Sequence, residues 1–262
     1  MNKVATAFKP GRKALIAYVT AGYPSIEATL QVVPVLARNG CDMIEIGIPF
    51  SDPLADGATI QNASHHALQS GVTPAKCIEL AGALSGIVDV PLAFMSYYNP
   101  MLRYGLERFT ADCAAAGVGG LIVPDLPPDE GEELERATHS KGIDCIYLLA
   151  PTSTDERIRL VAGRSSGFIY LVSVAGVTGA RTTLPEGLEA FVRRVRSVAR
   201  LPLCVGFGVS TAAQAGQVAR FADGVIVGSS IVKRMESESS PAVVGRFVSG
   251  LREALDRAGG GS

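Results

Sequence analysis

The sequence predicts an α/β protein of the (β/α)8 barrel class, also called a TIM barrel, in a single domain. Eight short apolar segments recur along the 262 residues, with helical patterns between them. The segments are continuously apolar, which is typical of parallel strands that are covered on both faces. Eight strand–helix units in about 250 residues also match the size of a closed barrel. An open doubly wound sheet is the alternative, but eight regular units without a break in composition favour the barrel.

Each predicted strand has the length of a buried strand, and the eight lie at residues 14–20, 43–48, 92–96, 120–123, 145–149, 168–173, 203–206 and 224–227. The clearest amphipathic helices between them lie at residues 26–38, 129–140 and 212–220. Three glycines stand where a left-handed residue closes a helix before the next strand, at Gly40, Gly117 and Gly142. We expect the barrel to span residues 1–258 and residues 259–262 to form a flexible Gly/Ser tail.

Composition and charge exclude several classes of protein. Apolar residues make up 47% of the chain and charged residues 19%, which rules out intrinsic disorder. The net charge of -1, from 24 basic and 25 acidic residues, argues against nucleic acid or an anionic membrane as a partner. No apolar stretch is long enough for a membrane span, and residues 1–10 contain no signal-peptide core. We therefore expect a cytoplasmic protein.

Residues for metal, disulfide or Schiff-base chemistry are not placed where a barrel would use them. None of the three histidines and none of the lysines falls at the carboxyl end of a predicted strand, which disfavours a His-rich metal site and a lysine nucleophile. His65 and His66 are expected on the surface of the second helix. The five cysteines are widely spaced and form no CxxC. They predict reduced, mostly buried thiols.

Acidic residues follow the second predicted strand, where the loops of a barrel carry its chemistry. Glu45 lies inside the strand among apolar neighbours, and burial raises the pKa of such a carboxyl towards neutrality. The alternative is a structural glutamate paired with an arginine of a neighbouring strand. Two predicted loops are long: loop two runs from Ile48 to a helix expected near Gln61, and loop six runs from Ser173 to a helix expected near Pro185. Loop two carries Asp52 and Asp56. A solvated turn is the alternative for this loop, but beside Glu45 it favours an acid/base pair.

Glycine-bearing segments follow the last three predicted strands, at residues 175–179, 206–210 and 228–230. Glycine lets backbone N–H groups approach a phosphate closely, and the helix start at Ser229 adds a favourable dipole. Barrel enzymes often bind phosphate at the loops after strands seven and eight. A dinucleotide fingerprint is disfavoured because Thr211 stands where its third glycine belongs. The residues thus predict metal-free, carboxylate-driven proton transfer on a small phosphorylated substrate.

The segment from Ile44 to Gly57, followed by Ile60 and Gln61, resembles the signature of the tryptophan synthase alpha subunit family. The similarity extends over nearly the whole chain, through residues 18–24, 97–100, 123–127, 170–179, 206–208 and 228–232. The resemblance implies a (β/α)8 barrel that cleaves indole-3-glycerol phosphate into indole and glyceraldehyde 3-phosphate, which is a retro-aldol reaction.

The resemblance also implies roles for individual residues. Glu45 matches the general acid/base that takes a proton from the glycerol hydroxyl and protonates indole C3. Asp56 matches the carboxylate that holds the indole N–H, and Tyr170 matches a tyrosine that positions groups near the glutamate. The phosphate-binding positions are Gly179, Phe207, Gly208, Gly228 and Ser229. The positions that line the indole pocket are Tyr18, Ile60, Met95 and Ile122.

A partner follows from the same resemblance: a beta subunit of tryptophan synthase that carries pyridoxal phosphate, in an αββα complex with a tunnel for indole. The chain itself would need no cofactor. Asp52 and Pro53 of loop two, and Asn99 after the third strand, would face the partner. Ala58 stands where many members carry proline, which would loosen loop two slightly. Two alternatives stay open: a stand-alone lyase without a partner, and a binding module that activates a beta subunit without turnover of its own.

Overall fold

Nine parallel strand segments form one sheet in the computed structural model, which describes residues 4–173, 184–206, 208–237 and 240–259. They are β1 (Ala14–Thr20), β2 (Met43–Gly47), β3 (Leu92–Met95), β4 (Val118–Ile122), β5 (Asp144–Ile146), β6 (Leu148–Leu149), β7 (Ile169–Val172), β8 (Leu203–Gly206) and β9 (Gly224–Val227). β5 and β6 are two halves of one predicted strand, separated by Tyr147. β5 pairs with β4 and β6 pairs with β7, so the sheet closes and the predicted barrel is confirmed.

The helices surround this sheet. In the described residues they are α1 (Ile26–Arg38), α2 (Ala58–Gln69), α3 (Pro74–Ser85), α4 (Tyr98–Tyr104), α5 (Leu106–Ala115), α6 (Glu132–His139), α7 (Asp155–Arg164), α8 (Leu188–Arg196), α9 (Ala212–Ala219), α10 (Ser229–Ser237) and α11 (Pro241–Gly259), with short 3-10 helices at Val4–Ala7 and Pro128–Glu130. None of the helices described is long and apolar enough to cross a membrane.

Local side-chain chemistry sets the ends of the helices. The Ser25 hydroxyl accepts the N–H of Ala28 at 3.1 Å and caps the start of α1. Gly40, with φ of 101°, follows the end of α1 in a conformation that glycine adopts at little cost. Gly117 and Gly142 have φ of 85° and 67°. All three predicted helix-closing glycines are therefore confirmed.

The start of α2 differs from the sequence prediction. The helix begins at Ala58 rather than near Gln61, because the carbonyl of Gly57 already accepts the N–H groups of Ile60 and Gln61 at 2.9 and 3.0 Å. The backbone of Gly57 is extended and caps the helix. Loop two is therefore shorter than predicted, and Asp56 lies only two residues before a helix.

Further boundaries also differ. The helix predicted at residues 129–140 is a 3-10 helix at Pro128–Glu130 followed by α6. α8 begins at Leu188 rather than near Pro185, after Gly187 with φ of 80°. α11 includes Gly259, which the sequence analysis assigned to the tail, while residues 260–262 lie outside the described part of the chain.

The core has two layers because the strands are buried on both faces. On β1, Leu15, Ala17 and Val19 pack outward against the helices, whereas Ile16 and Tyr18 point into the barrel. The inner cluster also includes Val4 and Ala7 of the first 3-10 helix. This arrangement explains why the strands are continuously apolar in sequence.

A buried ion pair ties α11 to the amino end of the first two strands. Arg252 donates from Nη1 to Asp42 Oδ2 and to the carbonyl oxygen of Lys13, both at 2.9 Å. Asp42 Oδ2 also accepts the N–H of Leu15 at 2.9 Å. Both charged side chains are almost fully buried. Each has a second partner: Arg12 Nε donates to Asp42 Oδ1 at 2.9 Å, and Arg252 Nη2 lies 2.7 Å from Asp256 Oδ1.

Replacing Arg252 with alanine is expected to lower the free energy of unfolding by about 1.5–3 kcal/mol, since it removes one of the two guanidinium groups that hydrogen-bond to the buried Asp42 carboxylate. The matched control is Arg257→Ala on the same helix, whose ion pair with Glu253 is exposed. This control is expected to cost less than about 1 kcal/mol. Urea unfolding of the two variants measures the difference, and similar midpoints would contradict a stabilising role for the buried pair.

Candidate active site

Glu45 lies on the inner face of β2, in register with Tyr18 of β1 and Ala93 of β3. Its side chain has no exposed surface. Among the residues that the structure describes, neither carboxyl oxygen has a hydrogen-bond partner. The structural alternative, an ion pair with an arginine of a neighbouring strand, is therefore not supported. A buried carboxyl without partners is costly to keep charged, and such groups are found at functional sites.

The environment of Glu45 favours its protonated form. Burial raises the pKa of this carboxyl to about 8, and the negative charge of Asp56 contributes to the rise. Glu45 therefore carries a proton at neutral pH that it can donate. Once it has donated this proton, its carboxylate can accept another. A pKa near the working pH is what a general acid/base requires.

Asp56 lies at the end of loop two and is only 8% exposed. Burial raises the pKa of its carboxyl to about 6, although a hydrogen bond from Tyr97 lowers it. The hydroxyl of Tyr97 donates this bond to Asp56 Oδ2 at 3.2 Å. At pH 7 Asp56 is therefore mostly ionised while Glu45 is mostly protonated. The two carboxyls have opposite protonation states, which is the pattern of an acid/base pair.

Two buried tyrosines flank this pair. Burial raises the pKa of Tyr18 and of Tyr170, and the charges of Glu45 and Asp56 raise both further. Tyr18 is in register with Glu45, and Tyr18 and Tyr170 belong to the same apolar cluster inside the barrel. The hydroxyl of Tyr18 lies 3.3 Å from Thr20 Oγ1.

The expected indole-pocket residues meet in one apolar cluster inside the barrel. All four expected residues belong to this cluster: Tyr18, Ile60, Met95 and Ile122. Tyr170 belongs to it as well. Leu148 and Val172 pack against the same cluster, and neither is among the pocket residues predicted from the sequence. Each lies two residues after an inward-facing residue of the same predicted strand, so strand alternation is the signal that could have found them.

Gly47 has no room for a side chain because the ring of Tyr18 fills the space. A Cβ atom at position 47 would contact the Tyr18 hydroxyl and lie 2.6 Å from its Cζ. Gly47→Ala is therefore expected to displace the ring, to cost about 1–3 kcal/mol of stability, and to weaken binding of any ligand that the ring contacts.

The matched control is Gly163→Ala, at an exposed position of α7 where an added Cβ atom would have no heavy atom within 4 Å. Thermal unfolding should show a stability change of opposite sign in this control, since alanine favours helices. Equal melting temperatures of the two variants would contradict the packing argument.

The glycine turns after β8 and β9 lie at the same mouth. A Cβ atom added at Gly228 would lie 3.2 Å from the Cβ atom of Tyr18. A Cβ atom added at Gly206 would lie 2.7 Å from Cε1 of Tyr170, so both turns approach the two tyrosines closely. Gly208 has φ of 97°. Ser229 begins α10, and the N-terminus of a helix favours an anion. The predicted positions Gly179 and Phe207, and residues 177–183 of the predicted loop six, lie outside the described residues.

A cavity of about 600 Å³ opens beside loop two and the loops after β4 and β6. Its lining includes Ala55, which precedes Asp56, together with Val123, Leu148 and Val172, but neither Glu45 nor Asp56. The volume suits a small-molecule ligand. The mouth of the barrel therefore combines a carboxyl pair, an apolar pocket and turns suited to an anion.

Loop two presents different residues to the interior and to solvent. Asp56 is buried, whereas Asp52 is exposed and Pro53 is half-buried. Leu54 is 83% exposed. Asn99, at the start of α4, is exposed as well. The residues that the sequence analysis assigned to a partner interface thus lie on the surface.

The cysteines and histidines are further side chains that could bind a metal. The five cysteines are buried and unpaired, as predicted, and His65 and His66 are exposed on α2, as predicted. Within the described ranges, no three His, Cys, Asp or Glu side chains come together as a metal site.

The fold and the site define a class of protein: a (β/α)8 barrel enzyme with a buried carboxyl pair at the mouth of its barrel. Comparison with known proteins specifies the class further. The family model described as tryptophan synthase alpha chain matches residues 4–250. The tryptophan synthase alpha chain of Dehalococcoides mccartyi is 56% identical over 98% of this chain and 100% of its own length. That of Geotalea uraniireducens is 46% identical over 99% and 100%. The chain therefore belongs to the tryptophan synthase alpha chain family, a family of lyases.

Solved structures agree with this membership. A structure of tryptophan synthase from Mycobacterium tuberculosis superposes with a TM-score of 0.87 at 40% identity, over 94% of this chain and 93% of that chain. Tryptophan synthase subunit alpha from Legionella pneumophila superposes with a TM-score of 0.90 at 34% identity, over 98% and 99%. The barrel class predicted from the sequence is confirmed by these relatives.

Proposed function

We propose that this chain cleaves indole-3-glycerol phosphate into indole and glyceraldehyde 3-phosphate and supplies the indole to a beta subunit of tryptophan synthase. Membership of the family supports the reaction. The observation that carries the proposal is the buried Glu45 carboxyl, unpartnered among the described residues and electrostatically coupled to Asp56. An apolar pocket for indole and glycine turns for a phosphate adjoin this pair.

The first step transfers a proton to the indole ring. Protonated Glu45 donates its proton to C3 of the indole, which breaks the aromaticity of the five-membered ring and leaves a positive charge centred on the ring nitrogen. The Asp56 carboxylate accepts a hydrogen bond from the ring N–H and stabilises this charge. Because the site is buried, the attraction is stronger than it would be in water.

The second step breaks the carbon–carbon bond. The Glu45 carboxylate takes the proton of the hydroxyl on the carbon that is attached to C3. That carbon becomes the aldehyde carbon of glyceraldehyde 3-phosphate, and the electron pair of the broken bond returns to the indole ring. Glu45 ends the cycle protonated, as it began, so the chain needs no cofactor for this reaction.

The remaining site residues hold the substrate. Tyr170 positions the reacting groups beside Glu45. The indole lies in the pocket lined by Tyr18, Ile60, Met95 and Ile122. The phosphate binds to the turns after the sixth, seventh and eighth strands of the barrel, through Gly179, Phe207, Gly208, Gly228 and Ser229.

The partner binds to the outer side of the same loops. Asp52 and Pro53 of loop two and Asn99 of α4 face the beta subunit in an αββα complex, and the exposure of Leu54 beside them supports an interface there. Pyridoxal phosphate belongs to that subunit, indole passes through a tunnel between the sites, and the complex acts in the cytoplasm. Any allosteric effect of the partner on this site has a reciprocal effect on the partner.

A steady-state assay of indole-3-glycerol phosphate cleavage, with and without a tryptophan synthase beta subunit, tests substrate, reaction and partnership together. We expect indole formation that increases when the beta subunit is added. Fast release of indole that the beta subunit leaves unchanged would favour a stand-alone lyase. Stimulation of the beta subunit without any cleavage would favour a binding module and contradict the proposed activity.

A further inference from the structure

Tyr97 is a buried tyrosine between β3 and α4 to which neither the sequence analysis nor the proposed reaction assigns a role. It is 5% exposed. Its ring stacks on Phe50 of loop two, with centroids 5.1 Å apart and planes inclined by 29°. The residue therefore contacts the loop that carries Asp56, although it is 41 positions away from Asp56 in the chain.

The hydroxyl of Tyr97 makes two hydrogen bonds to that loop. It accepts the N–H of Ala55 at 2.9 Å and donates to Asp56 Oδ2 at 3.2 Å. One hydroxyl can do both, since it has one proton to donate and lone pairs to accept with. Burial raises the pKa of Tyr97, so the proton for the second bond is present throughout the neutral range. The hydroxyl thus orients a backbone amide and the adjacent carboxylate at once.

The next loop holds Tyr97 itself in place. The carboxylate of Asp125, after β4, accepts the N–H of Tyr98 at 2.9 Å. This contact fixes the backbone next to Tyr97 at the first turn of α4. A chain of contacts therefore runs from the loop after β4 through Tyr97 to loop two.

We propose that Tyr97 is a positioning residue, whose hydroxyl holds loop two and the Asp56 carboxylate in the orientation that the reaction at Glu45 requires. The proposal rests on the proposed function, because it assigns Asp56 its role towards the indole N–H. Among the described residues, the titratable groups that interact electrostatically with Asp56 are Glu45 of β2, Tyr18 of β1, Tyr170 of β7 and Tyr97 itself. The hydrogen bond of Tyr97 lowers the pKa of Asp56 in opposition to burial.

The test is Tyr97→Phe, which removes both hydrogen bonds and keeps the ring that stacks on Phe50. We expect kcat for indole-3-glycerol phosphate cleavage to fall about tenfold to a hundredfold, the range for loss of a hydrogen bond to a charged group, with a smaller change in KM. The acid limb of the pH profile should move to higher pH, because Asp56 loses the bond that favours its ionised form. A carboxyl 13C NMR titration of labelled aspartate should show the same displacement of the Asp56 pKa.

Tyr104→Phe is the matched control. Its hydroxyl also donates to an aspartate, Asp112 Oδ2 at 2.7 Å, but this pair joins α4 to α5. We expect the control to leave the pH profile and the titration of Asp56 unchanged. If Tyr97→Phe cleaves the substrate with the wild-type profile and an unchanged Asp56 titration, the positioning role is overturned and the proposed function stands. If the wild-type chain with its beta subunit cleaves nothing, the proposed function fails instead, and this role for Tyr97 fails with it.

Discussion

Glu45→Gln is expected to reduce cleavage of indole-3-glycerol phosphate about a thousandfold, within the range found for removal of a general acid/base. Glutamine has nearly the same shape but neither donates nor accepts a proton at neutral pH. The matched control is Glu79→Gln at an exposed position of α3, which should keep wild-type turnover. Indole formation by purified variants, in the presence of a beta subunit, measures the effect. Wild-type turnover by Glu45→Gln would contradict the proposed role.

The same substitution is expected to stabilise the protein at alkaline pH. In the folded state the pKa of Glu45 is raised to about 8, whereas in the unfolded chain it is near its ordinary value. Between these two values the folded state holds a proton that the unfolded state has lost, so wild-type stability falls as pH rises through this window. Above about pH 8 the folded wild type carries a buried charge, which glutamine avoids.

The size and direction of this effect separate a catalytic residue from a structural one. We expect Glu45→Gln to be more stable than the wild type by a few kcal/mol at pH 9, at about 1.4 kcal/mol for each tenfold change in proton affinity. The difference should shrink at pH 5, where both side chains are neutral. Urea unfolding at the two pH values measures it. A variant that is less stable than the wild type at pH 9 would indicate that the carboxylate has a stabilising partner in the fold.

Asp56→Asn is the second substitution with a large expected effect. We expect kcat to fall at least a hundredfold, because a neutral amide cannot stabilise the positive charge that forms on the indole ring. The wild-type pH profile should rise as Asp56 ionises near its pKa of about 6 and fall as Glu45 loses its proton near about 8. In the variant the alkaline limb should move to lower pH, because the negative charge that raises the pKa of Glu45 is gone.

A pH–rate profile of kcat/KM for Asp56→Asn checks both expectations. The matched control is Asp89→Asn, an exposed position just before β3 at the amino end of the barrel. It should show the wild-type profile. An alkaline limb that stays in place in Asp56→Asn would show that the two carboxyls are not coupled, and the acid/base pair would have to be abandoned.

Burial on both faces leaves a continuous apolar run in each strand, so most strands could be predicted from the sequence. The bounds of β1, β8 and β9 match the predicted residues. The interruption at Tyr147 was not predicted, because it depends on strand pairing: the residues before it pair with β4 and the residues after it pair with β7. Tyr147 itself packs outward and its hydroxyl donates to Glu135 of α6 at 2.5 Å, so only a contact with a helix explains its orientation.

The candidate site was predicted unevenly for a similar reason. Glu45 stood out because a carboxylate within an apolar strand is chemically conspicuous. Tyr97 did not, although it follows a strand, because a tyrosine after a strand is an ordinary residue. Its importance comes from a hydrogen bond to a residue 41 positions away, and no local pattern reports such a contact.

The sequence by itself determined the barrel class, the order of its units and the candidate acidic residues, because strand periodicity, helix-closing glycines and the types of side chain are local properties of the chain. Only the tertiary structure decided which carboxyl holds a proton at neutral pH. That outcome depends on complete burial of Glu45 inside the barrel, on the charge of Asp56 beside it, and on the hydrogen bond from Tyr97. These are interactions through space between segments that are distant in the chain, and they exist only once the sheet has closed.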